Sequence, residues 1–373
     1  MALNCGIIGL PNVGKSTIFS ALCSTPVETS KYPSSTVKAN IGIINVPDPR
    51  LDRLSSIFNP KKTIHAAMEF IDIAGLVKGS SRGSGLGNQF LSNIRDSAVY
   101  VHVVRCFEDS EVLHVSDQID PESDMETIDI ELALADMQTL AKRRERAEKA
   151  LKNQAEKKKA EFVLAVLDKI SPVLESAKGV RSLELNPEEK AAIYDCHFIT
   201  AKPQLYVCNV DEAGIRDIAA GKPGNSYVQA VMKRAESEGS EAICISGKFE
   251  AELAGLENPE EKAIFLEDLG LKETGLSALI RSAYNLLGLR TFFTTGEDEC
   301  RAWTIHAGET APKAAGTIHT DFEKGFIKAE VYTCDDIFQY GTEAKIREAG
   351  KYRLEGREYV VKDGDVIFFK FNK

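Results

Sequence analysis

The chain has 373 residues, more than one ordinary hydrophobic core organises, so two or three domains are expected. It is 43% hydrophobic and 27% charged, an ordinary globular composition, and it contains no run of 18 apolar residues that would span a bilayer. A net charge of −10 excludes wholesale coating of nucleic acid and leaves room only for a local basic patch.

Met1-Ala2-Leu3-Asn4-Cys5 lacks the basic and apolar regions of a signal peptide and runs directly into an apolar segment. Eight cysteines are scattered singly, with no C-x-x-C pair and no His at ligand spacing, which fits free thiols in a reducing compartment. A cytoplasmic location without a membrane partner is the expectation.

In chain order, Cys5–Gly9 reads as a strand and Lys15–Leu22 as a helix, with a glycine-rich loop between them. Ala67–Ile73, Tyr100–Cys106, Gln204–Asn209 and Ala242–Ser246 read as further buried strands. Apolar runs alternating with helical patterns indicate a parallel sheet wrapped by helices. Between the third and fourth runs lies a charged helical stretch, roughly Ile128–Ala177, in which Pro172 is expected to mark a kink or break. A further helix is expected from about Pro187, with Asn186 as its cap. The stretch reads as an inserted antiparallel hairpin, with a single solvated helix as the alternative. From Lys142 to Glu161 it carries nine Lys or Arg against four Glu. Arg143, Arg144, Arg146 and Lys149 there form a candidate RNA-facing surface, or a solvated helix face. After Gly288 the pattern changes to short strands at Thr291–Thr295, Ala302–Ile305, Phe326–Tyr332, Glu358–Val361 and Val366–Phe371, a small mixed β-rich module.

Gly9-Leu10-Pro11-Asn12-Val13-Gly14-Lys15-Ser16 matches G-x-x-x-x-G-K-[ST] in full, between a strand and a helix. The glycines let backbone N–H groups converge on an anion, and the helix N-terminus adds its positive dipole end. Asn12, Val13, Gly14, Lys15, Ser16 and Thr17 are therefore the candidate nucleotide-binding set. Lys15 supplies charge at the β- and γ-phosphates, and Ser16 is a magnesium ligand. Asp72, ending a strand in Asp72-Ile73-Ala74-Gly75, falls near the metal, and the Gly75 N–H can reach the γ-phosphate. Thr36, in the polar segment Tyr32–Val37, is the candidate second hydroxyl ligand; Ser16, Thr36 and Asp72 make the metal set. Gly79–Gly87 lacks the spacing of a dinucleotide loop and reads as a mobile switch.

GTP-binding relatives of this loop read guanine with N-K-x-D. Here the corresponding segment is Asn209-Val210-Asp211-Glu212, which lacks the Lys and lengthens the Asp by one methylene. Loss of the fork weakens guanine recognition, because a site built for one base edge rejects partners that leave it unpaired. Asn209, Val210 and Glu212 are the candidate base-side residues. The position that holds a water-orienting glutamine in many such enzymes is Leu76.

Gly9–Ser16, Asp72-Ile-Ala-Gly-Leu-Val-Lys-Gly79, Gly85-Leu-Gly-Asn-Gln-Phe90, Val103-Val-Arg-Cys-Phe107 and Asn209–Glu212 resemble the YchF subfamily of Obg-like ATPases. Arg301-Ala-Trp-Thr304, His319–Phe326 and Val361-Lys-Asp-Gly-Asp365 resemble that family's TGS domain. The likeness runs from end to end. It implies an α/β fold: a P-loop NTPase G domain of the OBG type (1–127 and 200–286), an inserted α-helical hairpin or coiled coil (128–199), and a C-terminal β-grasp-like TGS domain (288–371). It further implies ATP hydrolysis with Mg2+, ATP preferred over GTP, His114 with Lys15 as the catalytic residues, and the ribosome as partner. ATP and ADP are the expected ligands, with neither DNA nor membrane as partner. The remaining alternatives are a GTPase of the translation-factor type and a nucleotide-dependent binding regulator with negligible turnover. One departure is Ser34-Ser35-Thr36-Val37-Lys38, where the family more often has Phe-Cys-Thr-Ile-Glu.

Overall fold

A computed structural model describes residues 4–24, 40–73, 85–112 and 118–372. Contacts divide the chain into two compact units, one built mainly on Glu69–Leu279 with the N-terminal strand and helix, the other on Ile43–Met68 and Ile280–Lys373.

The strands of the first sheet are β1 (Asn4–Ile8), β2 (Ile41–Asn45), β4 (Ala67–Asp72), β5 (Val99–Arg105), β6 (Gln204–Asn209) and β7 (Glu241–Ile245), in the order β2-β4-β1-β5-β6-β7. β1 runs parallel to both β4 and β5, β5 to β6, and β6 to β7. Every residue of β1, β5 and β6 is buried, as a parallel strand covered on both faces requires. The helices α1 (Lys15–Cys23), α3 (Gly85–Asp96), α7 (Glu212–Ala219), α8 (Ser226–Glu238) and α9 (Gly247–Ala254) follow strands or the loops after them. Strand order reverses about β1, which puts the β1 loop at a topological switch point, the usual place for a ligand in an open α/β sheet.

Between β5 and β6 stand α4 (Pro121–Ala150) and α5 (Lys157–Glu175), joined by a short turn and packed along their length. Leu140 and Ala147 of α4 meet Val163, Val166, Leu167 and Ile170 of α5, all at most 4% exposed. Burial of such side chains stabilises by about 1.5–3 kcal/mol each, so the pair is a hairpin and not one solvated helix. α4 starts at Pro121, capped by Asp120. Pro172 does not break α5, which continues to Glu175. It falls in the last turn, where little helix remains to be disrupted. α6 (Pro187–Ala192) begins at Asn186, whose side chain caps it reciprocally with Glu189.

The second sheet contains β3 (Lys62–Ile64), β8 (Leu289–Thr294), β9 (Glu299–His306), β10 (Phe326–Thr333), β11 (Arg353–Glu355) and β12 (Asp365–Phe371), ordered β11-β10-β12-β8-β9-β3. A helix at Ala311–Ile318 buries Ala311, Ala314 and Ala315 against Phe292, Trp303 and Ile305 of this sheet. The expected strand Glu358–Val361 is instead a loop, held by one isolated bridge between Val360 and Thr310; β10 pairs with β12 on one side and with the short β11 on the other. β3 adds in parallel to β9, and α2 (Pro49–Phe58) belongs to the same unit. Arg50 of α2 is ion-paired with Asp363 at 2.6 Å, and Asp363 also accepts from the Thr291 N–H at 2.8 Å. Residues 43–68, read from sequence as part of the 1–127 domain, thus contribute a helix and an edge strand to the C-terminal unit.

Candidate functional site

The loop from β1 to α1 takes a conformation only its own residue types allow. Gly9 and Gly14 have φ of +150° and +97°. A Cβ on Gly9 would lie 2.4 Å from the Val103 carbonyl oxygen, and one on Gly14 would lie 2.1 Å from Nδ2 of Asn209. Gly14 is also the N-cap of α1, so the helix N-terminus opens directly onto the loop.

Lys15 is only 6% exposed and donates from Nζ to the Leu10 carbonyl of the same loop. Burial lowers its pKa to about 8, against the opposing pull of the Asp72 carboxylate. The Ser16 hydroxyl donates to Asp72 Oδ2 at 3.0 Å, while Asp72 Oδ1 is buried with no hydrogen-bond partner among the described residues. A hydroxyl and a carboxylate with a spare buried oxygen form the hard-oxygen donor set that suits Mg2+.

Asn209 is the residue whose place sequence reasoning did not foresee. Its Nδ2 donates to the Val13 carbonyl at 2.8 Å, and its Oδ1 accepts from the Gly247 N–H at 2.9 Å. The side chain thereby ties the phosphate loop to the start of α9. Asp211 caps α7 by accepting from the Gly214 N–H at 2.7 Å, and Glu212 is paired with Arg216 at 3.2 Å. Val210 is buried beside them.

Arg105 was also not singled out. It is 1% exposed at the end of β5 and donates to three carbonyls of the following loop: Phe107 (3.1 Å), Asp109 (3.1 Å) and Val112 (2.9 Å). The available signal was a cation ending an otherwise apolar strand. The loop it holds leads to the segment carrying His114. Thr36, Gly75, Leu76 and His114 lie outside the described residues, as does most of the Gly79–Gly87 segment. Among the sequence candidates, the structure brings together Asn12–Thr17, Asp72 and Asn209.

A strand, a phosphate loop and a helix, with a strand-end carboxylate against the loop serine, define a P-loop nucleoside triphosphatase fold. Residues 4–143 match the family model described as 50S ribosome-binding GTPase, and residues 289–372 match YchF-GTPase_C, described as a protein of unknown function (DUF933). The chain is 50% identical to the "Ribosome-binding ATPase YchF" of Haemophilus ducreyi and 50% identical to that of Bacillus subtilis, with 100% of each chain covered. It is also similar to the structure of the Schizosaccharomyces pombe YchF GTPase, with TM-score 0.86 and 38% identity over 99% of this chain and 97% of that one. The chain belongs to the YchF family.

Proposed function

We propose that this chain is a cytoplasmic ATPase that works with Mg2+ as a ribosome-associated regulatory switch. Ribosome binding and ATP hydrolysis are named for its full-length bacterial relatives, and the phosphate loop supports the same chemistry here. The backbone N–H groups of residues 12–17 and of Gly75 bind the phosphates, and Lys15 offsets their charge. Ser16, Thr36 and Asp72 would hold the magnesium, which when bound neutralises charge on the phosphates. His114 orients the attacking water in place of the glutamine that Leu76 replaces. Residues 1–127 and 200–286 form the G domain in this reading, 128–199 the hairpin and 288–371 the TGS domain.

The observation that carries ATP over GTP is the occupation of the base-side residues. Asn209 is engaged at both ends of its amide, Asp211 is consumed as a helix cap, and Glu212 is paired with Arg216. Val210 stands where a lysine stem would cover the base, and the carboxylates of Asp211 and Glu212 are both engaged elsewhere. Calorimetric titration with ADP, ATP, GDP and GTP at matched magnesium is the test. Adenine nucleotides should bind tighter, and a tenfold preference needs only about 1.4 kcal/mol. Val210→Lys combined with Glu212→Asp should move the preference toward guanine. GDP binding tighter than ADP would favour the GTPase reading, for which the name of the S. pombe protein speaks.

A further inference from the structure

The basic run on α4 divides into two faces. Arg144 is paired with Asp168 of α5 at 2.6 Å, and Lys149 with Glu145 at 2.6 Å, so these charges are answered within the hairpin. Thr139, Lys142, Arg143 and Arg146 recur at i, i+3, i+4 and i+7 and occupy another face. With Arg95 of α3 they line a groove of about 330 Å³. The groove holds four cations, Arg95, Lys142, Arg143 and Arg146, against the carboxylate of Asp195.

Two of the cations are braced. Arg95 donates to the Thr139 hydroxyl at 2.9 Å, and Arg143 is held by Asp195 at 3.3 Å. A guanidinium fixed by one neighbour loses less side-chain entropy on meeting an anion and keeps further donors in its fork. Lys142 and Arg146 are exposed and make no hydrogen bond or ion pair among the described residues. They stand one turn apart, about 6 Å along the helix axis, a separation that neighbouring phosphates of one strand can match. On a chain of net charge −10, such a concentration of positive charge attracts anions locally and without a general affinity for them.

We propose that the groove between α3 and α4 binds the phosphodiester backbone of a single strand of ribosomal RNA, an inference that rests on the ribosome reading above. The contact face is then Arg95, Lys142, Arg143 and Arg146, while Arg144 and Lys149, each ion-paired with a hairpin carboxylate, lie outside it. α3 begins at Gly85, within the Gly79–Gly87 stretch of the sequence, so RNA in this groove would touch the helix that continues that stretch.

The test compares two double charge reversals of equal net change, Lys142→Glu with Arg146→Glu and Arg144→Glu with Lys149→Glu, in the full chain. Matched Gln pairs and thermal melts guard against misfolding. Cosedimentation with ribosomes and fluorescence anisotropy with a labelled single-stranded RNA are each followed across a salt series. The first pair should weaken both associations at least about tenfold and flatten the salt slope by about 1–2, at roughly 0.7 per phosphate contact of a single strand. Its Gln version should lose less, and the second pair should stay within about twofold of the parent. Equal loss in both pairs, or ribosome binding unchanged by the first, overturns the groove assignment. RNA bound through the groove with no ribosome cosedimentation would defeat the ribosome reading and keep the groove. Displacement of the RNA by polyglutamate as readily as by RNA would assign the groove to an acidic protein and overturn the proposal.

Discussion

Arg105 carries its charge into the core because three loop carbonyls meet its planar fork, which a lysine cannot reproduce. If His114 orients the attacking water, Arg105 is the candidate positioning residue, since its bonds fix the chain as far as Val112, two residues before His114. His114→Ala should lower ATP turnover by about an order of magnitude or more with nucleotide affinity nearly unchanged, because only a transition-state contact is lost. Arg105→Lys should show the same split between turnover and affinity, in weaker form. Single-turnover rates and calorimetry measure the two parts. A normal rate in His114→Ala removes it from the catalytic role, and equal losses of rate and affinity in Arg105→Lys make that residue merely structural.

His102 is a second residue with a measurable consequence. It is fully buried on β5 with its ring against Tyr206, and Nδ1 has no hydrogen-bond partner among the described residues. Burial, followed by the positive charges of Arg234, Arg181 and Lys15, lowers its pKa to about 3. The unfolded chain takes up that proton near pH 6.5 while the folded chain does not. Its contribution to stability is therefore present above pH 6.5 and is lost as pH falls toward 3. By pH 5 the loss is about 2 kcal/mol. The stability difference between the parent and His102→Phe should shift in favour of the variant by that amount between pH 7 and pH 5, read from denaturant midpoints. A difference independent of pH would contradict the burial argument.

Among the elements, the hairpin root depends on Asp136 of α4. This carboxylate is wholly buried and accepts from the Ile199 N–H (2.9 Å), the Thr200 N–H (2.8 Å) and the Thr200 hydroxyl (2.7 Å), just before β6. Asp136→Ala leaves buried donors without partners and should cost about 3–5 kcal/mol, seen as a lower unfolding midpoint. A loss below about 1 kcal/mol would mean that water or a local shift replaces the carboxylate. Elements differ in how well the sequence announces them. β1, β5 and β6 are legible because burial on both faces makes every position apolar or nearly so. β2 alternates between buried and half-buried positions, and β3 is three residues long, so neither leaves a comparable signature. Glu358–Val361 has the residue types of a strand, yet its backbone bonds go to Glu309 and Ala311 in loop geometry.

For the whole molecule, the grouping of Ile43–Met68 with the C-terminal unit has a consequence for dissection. Truncation after Leu287 removes β9, the partner of β3, and Asp363, the partner of Arg50. The remaining piece should melt at lower temperature than the full chain and be cut by protease within residues 43–68. A truncated protein as stable and protease-resistant as the full chain would show that this segment needs nothing from the C-terminal unit.

The phosphate loop is determined by the sequence itself because its chemistry is local. Consecutive backbone N–H groups, two glycines and a helix start make an anion site from eight adjacent residues, Gly9 to Ser16. The buried parallel strands and the amphipathic hairpin are legible for a similar reason, since periodicity and burial act within single segments. What joins distant segments was decided by tertiary structure alone. Asn209 reaches Val13 across 196 positions, which turns a residue read as base-facing into a clamp on the phosphate loop. Arg50 meets Asp363 across 313 positions, and a run of basic residues on one helix is sorted by Asp168, Asp195 and Arg95 into paired charges and an open groove. Composition records how many charges a segment carries, but their partners are set only when the chain has folded and other segments have come within hydrogen-bond reach.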